Sequence, residues 1–260
     1  MSDVEGDDEP QEAPREHRNK LRMALGLGLA PLAALLVYAG FLLVSLPDVS
    51  YLAHENPTET ALMRERGGKA VQQWVPLDRI SESLVQAVIM AEDAGFYGHE
   101  GFDLHEIEQA FKRNWEEGRT VRGASTITQQ LAKNLFLTTE RSYLRKLKEA
   151  ILTRRLEKEL SKDRILELYL NVIEWGNGIY GAEAASERVF GKSAADLSVV
   201  EAATLAAMIP NPIRLDPCKS PHANRARRER ILRWMHVAKH IDDEELRRAL
   251  ASSPQLRHCN

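Results

Sequence analysis

Cysteine is scarce: Cys218 and Cys259 are the only two in 260 residues. Two cysteines cannot build a disulfide framework, and no recognised Cys/His spacing for a four-ligand zinc site is present. No window after residue 70 alternates apolar and polar residues with period two, which argues against an extensive sheet. Internal repeats are absent, and low complexity is confined to an acidic N-terminus. Charge is absent from Met23 to Pro47. What remains is 43% apolar and 28% charged, enough for one large domain or two small ones and neither a miniprotein nor a disordered chain.

The uncharged run reaches about 36 Å as a helix, longer than the ~30 Å hydrocarbon core of a bilayer. Its glycines and Pro31 are tolerated in membrane helices. Arg15, Arg18, Lys20 and Arg22 precede it, and the next Lys or Arg is Arg64. The positive-inside rule then puts the N-terminus in the cytoplasm and residues 48–260 outside. A cleaved signal peptide would usually carry an apolar stretch of only ~7–15 residues, so a retained anchor is the better reading. Residues 1–16 hold seven acids against one base, which leaves 34 Lys+Arg against 31 Asp+Glu elsewhere. Such an acidic tail is most simply disordered. The expected organisation is a cytoplasmic tail over 1–22, a membrane span over 23–47 and a linker over 48–69. A catalytic domain over 70–240 and a helical tail over 241–260 follow. An enzyme on the outer face has no nucleoside triphosphate supply, so a synthetic one would need a pre-activated substrate such as a lipid-linked pyrophosphate.

Helix signals dominate the exported part. Ser81 opens a run with Leu84, Val88 and Ala91 on one face, and Asp103 with Glu106 and Ser198 with Glu201 have capping-box spacing. Ser125 is expected to start a helix over 126–136, Ser142 one ending near Leu160, and Ser161 one over 163–172. Gly191 and Pro210 suit helix stops, and Pro221 suits a first turn. The expected fold class is all-α.

Three polar strings stand out on these helices. Glu92-Asp93-Ala94-Gly95-Phe96-Tyr97-Gly98-His99 ends an apolar helix with two adjacent carboxylates. Partial desolvation there would raise a carboxylate's pKa and make it a better base near neutral pH, whereas a solvated helix end would do nothing of the kind. Gly123-Ala124-Ser125-Thr126-Ile127-Thr128-Gln129-Gln130-Leu131-Ala132-Lys133-Asn134 forms three helical stripes. One is apolar (Ile127, Leu131, Leu135), one joins Ser125, Gln129 and Lys133, and one joins Thr126, Gln130 and Asn134. Polar stripes without a carboxylate suit an anionic or sugar ligand, though an amphipathic surface helix is the simpler alternative. In the third string Arg141, Arg145 and Glu149 fall at four-residue spacing. Exposed ion pairs of that kind contribute only ~0.3–0.5 kcal/mol each. Residues 141–166 nevertheless hold nine Lys+Arg against four acids, an excess that attracts phosphates or an anionic membrane. Arg225–Arg233 is a further basic stretch and reads as a solvated helix face.

In this order the strings resemble the peptidoglycan glycosyltransferases of family 51, which polymerise lipid II. Glu92 to Gly101 matches the family's E-D-x-x-F-x-x-H-x-G. Gly123 to Asn134 matches G-x-S-T-I-T-Q-Q-L-x-K-N, with Ala124 where many members have glycine. Arg145-Lys146 with Glu149 matches R-K-x-x-E. Lys162 to Asn171 and Glu201 to Pro212 match two further stretches. The resemblance covers roughly residues 70–235, and five ordered motifs are far more specific than any one.

The resemblance implies a lysozyme-like helical head behind one transmembrane helix. It also implies a smaller jaw near residues 104–124, where Phe111, Trp115, Lys112, Arg113, Arg119 and Arg122 would meet lipid headgroups. It makes Glu92 the general base and Glu149 an assistant at the donor side. Lys133 and Arg141 would contact the donor pyrophosphate, with Ser125 and Gln129 lining the same site and Lys146 also binding substrate. Asp93, Phe96 and His99 would shape the acceptor pocket. No cofactor is required; a divalent metal, Mg or Mn, is compatible with the pyrophosphate, with Asp93 as a candidate ligand. The implied partners are lipid II, glycan-linked undecaprenyl pyrophosphate, the cytoplasmic (inner) membrane and a cell-wall synthesis or division complex, with no nucleic acid. No Ser-x-x-Lys or Lys-Thr-Gly occurs, so no transpeptidase activity is expected. Two other classes stay open at this point. A lytic muramidase would share a catalytic Glu but has no need of a pyrophosphate-binding row. A non-catalytic scaffold would keep function after Glu92→Gln.

Overall fold

The structure, a computed structural model, describes residues 33–34, 37–38, 40–67, 69–118, 123–176 and 178–257. The acidic tail, most of the expected span over 23–47, Arg119, Arg122 and Cys259 lie outside them. Met1–Pro47 and Asp48–Asn260 are separate compact units. In the first, residues 40–45 are helical and Phe41 and Val44 are exposed. No helix among the described residues is long and apolar enough to cross a membrane.

The second unit is built of helices whose starts are written in the chain. Thr60 caps α1 (Ala61–Arg66), Ser81 caps α2 (Glu82–Glu92) and Asp103 caps α3 (Leu104–Glu116). Thr126 caps α4 (Ile127–Phe136), Ser142 caps α5 (Tyr143–Glu159) and Ser161 caps α6 (Lys162–Val172). In each case the side-chain oxygen accepts a backbone N–H three residues on, satisfying one of the free donors of the first turn. The start expected at Ser125 is at Thr126, one residue later. Gly181 precedes α7 (Ala182–Phe190), which Gly191 closes in the left-handed conformation. Ser198 and Glu201 form the expected capping box on α8 (Val199–Met208). Pro221 occupies the first turn of α9 (Pro221–Val237), and α10 (Asp243–Ala251) follows.

Two packing groups position the site. Residues 201–208 of α8 are buried all round, as a central helix requires. Leu84, Ala87 and Val88 of α2 and Ile231, Leu232 and Met235 of α9 are buried as well, and both helices pack on α8 and on each other. In the second group α4 packs against α1, α5 and α6. Residues 48–69, expected as a linker, hold a 3₁₀ turn (Ser50–Ala53) and α1, and bury Leu52, Leu62 and Met63.

The all-α expectation needs one correction. Three short strands, β1 (Val71–Gln72), β2 (Glu174–Gly176) and β3 (Ile179–Tyr180), form a sheet in the order β1-β3-β2. β1 runs parallel to β3 and β2 antiparallel to it. Strands of two or three residues are too short to show a period, so no alternation marks them. Asn171 ties the sheet's approach to α6: its side chain exchanges both hydrogen bonds with the Val75 backbone, and its carbonyl accepts from Gln72.

Candidate active site

Glu92 is the last residue of α2, and its side chain is largely buried, 9% exposed. Gln130 Nε2 donates to Oε2 at 2.9 Å, and Arg227 Nη2 lies 3.2 Å from Oε1. Gln130 sits on the first full turn of α4 and accepts in turn from the Tyr169 hydroxyl of α6 at 3.0 Å. Three helices therefore hold one carboxylate. Burial pushes the Glu92 pKa up, and Gln130, Arg227 and Lys133 partly oppose it. The outcome is a carboxylate of enhanced basicity that is still orientated by two donors.

Asp93 has a different task. Its Oδ2 accepts the N–H of Ile127 at 2.9 Å and its Oδ1 bonds His99 Nε2 at 2.9 Å. His99 Nδ1 accepts the Gly101 N–H at 3.0 Å, which assigns the ring proton to Nε2. Gly101 O then accepts the Thr126 hydroxyl at 2.7 Å. A carboxylate at the start of α4 also suits the positive end of the helix. Gly101 has φ +87°, and a Cβ there would stand 2.6 Å from Thr153 Cγ2, so a side chain is excluded at this junction. Phe96 is fully buried, with Lys162 Nζ 4.5 Å from its ring centre. It belongs to the core beneath the site, not to a surface that a sugar could touch.

Asp93, His99 and Asp103 bring ligand atoms within 4.8 Å of one another. Both His99 nitrogens and both Asp93 oxygens are already engaged, and Asp103 Oδ1 caps α3. With no His99 nitrogen free, the group offers a divalent cation only the remaining lone pairs of Asp93 and Asp103.

The cationic side lies on α4 and α5. Lys133 is largely buried; burial lowers its pKa, Glu149 raises it, and Arg145 and Lys146 lower it further. Glu149 is 3% exposed and pairs with Arg145 Nη1 at 2.6 Å and with Lys146 Nζ. Arg145 Nε is buried without a hydrogen-bond partner, a spare donor beside an anion. Arg141 and Ser125 are exposed and precede their helices, so Arg141 does not share a helical face with Arg145. Gln129 turns its amide back on its own helix, Oε1 accepting from Thr126 N.

Sequence reasoning thus missed Arg227, Gln130 and Tyr169. Gln130 lay on a polar stripe and Tyr169 within a matched motif, but Arg227 was hidden in a charge run. Residues 59–236 match a family model described as transglycosylase, well over half of the chain. The chain belongs to the transglycosylase family. Several proteins named biosynthetic peptidoglycan transglycosylase are similar to it. That of Thiobacillus denitrificans is 52% identical over 197 residues, covering 72% of this chain and 84% of its own. That of Bordetella avium is 45% identical over 233 residues, covering 85% and 96%. Among solved structures, penicillin-binding protein 1A from Haemophilus influenzae aligns at 22% identity and a TM-score of 0.44. The alignment covers 74% of this chain and 19% of that one. Every residue of the Glu92 and Lys133 clusters lies inside this transglycosylase match.

Proposed function

We propose that this transglycosylase is a peptidoglycan glycosyltransferase that polymerises lipid II into β-1,4 glycan strands. The observation that carries the reading is a buried, doubly hydrogen-bonded Glu92 electrostatically coupled to Lys133. Glu92 takes the proton from the 4-hydroxyl of the acceptor sugar. That oxygen forms a bond to the anomeric carbon of the donor, and the carbon–oxygen bond to undecaprenyl pyrophosphate breaks. The proton stays on Glu92, and the electron pair leaves with the pyrophosphate. Attack from the face opposite the leaving group inverts the α-linked donor to a β bond.

Negative charge grows on the leaving group, so cations fixed beforehand favour the transition state over the ground state. Lys133, Arg145 and Lys146 serve this purpose. Arg141 and Ser125, both exposed, reach the donor from the ends of their helices. Glu149 acts by positioning Arg145 and Lys146. Asp93, His99 and Gln129 act through the start of α4 and not by touching sugar.

The substrate is membrane-borne, and the anchor over 23–47 places the domain on the outer face of the cytoplasmic membrane. Support for a lipid-contacting jaw comes from α3, where Phe111 and Trp115 are 66% and 78% exposed. Their rings stack at 6.2 Å.

The test is incubation of detergent-solubilised protein with labelled lipid II, reading glycan length on a gel. Wild type should yield polymer and Glu92→Gln none while still binding lipid II. Polymer from the variant would end the assignment of Glu92, and shortening of preformed glycan would replace the synthetic reading by a lytic one.

A further inference from the structure

The loop over 137–142 joins α4 to α5 and carries Arg141. Its ends are fixed, since Leu137 is buried and Ser142 caps α5. Residues 138–141 between them are exposed and irregular. Among the described residues, the hydrogen bonds of this exposed stretch all fall on Thr139 and all involve one partner. The Thr139 N–H donates to Glu65 Oε2 at 2.7 Å, and the Thr139 hydroxyl donates to Oε1. One carboxylate thus holds the loop with both oxygens, across 74 residues of sequence. These bonds, the hydroxyl's above all, keep the Glu65 carboxyl below its ordinary value, so the acceptor is ionised near neutral pH. Bonds to an ionised acceptor are roughly twice as strong as those between neutral groups.

Glu65 is itself on a fixed platform. Thr60 caps the start of α1, Leu62 and Met63 pack with Tyr180 of β3, and Arg66 pairs with Glu174 of β2 at 3.2 Å. α1 also packs on α4, the helix that bears Lys133. Ordering an exposed stretch costs conformational entropy. A cation on a loop already ordered spares its ligand that cost on binding.

We propose that Glu65 is a positioning residue for the donor site: through Thr139 it holds Arg141 where the donor pyrophosphate binds. The inference rests on the reading of Arg141 as a donor contact, and Glu65 itself does not touch substrate.

The test uses the full chain in detergent, with two readouts: backbone hydrogen exchange over 137–142, and KM and kcat for labelled lipid II. Glu65→Ala should speed exchange in this loop and leave α4 and α5 as protected as before. KM should rise about threefold to tenfold, as one or two lost hydrogen bonds imply. Lost binding that is equal in ground and transition states leaves kcat as it was, and the urea midpoint should stay nearly constant. Thr139→Val keeps the N–H bond alone and should raise KM less, whereas Thr139→Ser keeps both bonds and should match wild type. With Arg141 already replaced by alanine, Glu65→Ala should raise KM no further. Unchanged loop exchange in Glu65→Ala overturns the proposal whatever the kinetics. So does a KM raised by Arg141→Ala but not by Glu65→Ala, or an additive effect of the two. A KM that neither variant moves sinks the donor reading of Arg141 and the proposal with it, and faster loop exchange then marks that reading as the part that failed.

Discussion

Opposed influences act on the carboxylate of Glu92. Burial raises its pKa from the ordinary 4.5, while Gln130, Arg227 and Lys133 pull it down. The base must be ionised to act, so the acid limb of kcat/KM should fall above pH 4.5. Arg227→Met removes a group that favours the ionised form, and should move that limb to still higher pH. An unmoved limb would show that the pair does not persist in the working enzyme. Lys133 gives the opposite edge. Its pKa lies below the ordinary 10.5 because of burial and the neighbouring cations, with Glu149 resisting. Activity should therefore fall on the alkaline side below pH 10.5, and Glu149→Gln should bring that limb lower. The identities of Glu92 and Lys133 were legible because their types and spacings recur in a known pattern. The partners were not: Arg227 belongs to a run of arginines in which only packing distinguishes the inward residue from the outward ones.

At the scale of the element, the start of α4 is the junction that matters. Thr126 caps the helix, Gln129 completes a capping box, Asp93 accepts the next N–H, and Gly101 receives the Thr126 hydroxyl. Gln130 stands directly after this turn, so the geometry at Glu92 depends on it. Thr126→Ala should cost about 1–2 kcal/mol, the upper part of the range for a cap because a second bond is lost with it. It should also lower kcat. Thr126→Ser keeps both bonds and should restore most of each; urea midpoints at constant slope and initial rates measure the two. The expected start was Ser125, and the cap is its neighbour Thr126. The distinguishing mark was Gln129, three residues after Thr126, whereas Ser125 is followed at that distance by Thr128. The caps at Ser81, Asp103, Ser142, Ser161 and Ser198 stand where expected, whereas Thr60 lies in the stretch expected as a linker and Asp242 had no expectation attached. The small sheet was invisible, being made by contacts between residues 71–72 and 174–180 that no local period announces.

In the whole molecule, α8 is the element on which α2 and α9 both rest, and so it sets how Glu92 and Arg227 meet. Leu205 is fully buried at its centre. Leu205→Ala should cost about 2–5 kcal/mol from lost transfer energy and the cavity left behind, visible as an earlier urea midpoint. Glu92 and Arg227 are 135 residues apart in sequence, and nearly everything else in the site is complete by Tyr169. A chain synthesised from its N-terminus therefore presents its Glu92, Gln130 and Lys133 well before α9 follows them. Until Arg227 arrives, the carboxylate has lost one of the influences that keep it ionised. Timing is thus written into the topology: Glu92 has its full set of partners only when the last long helix has closed against α2.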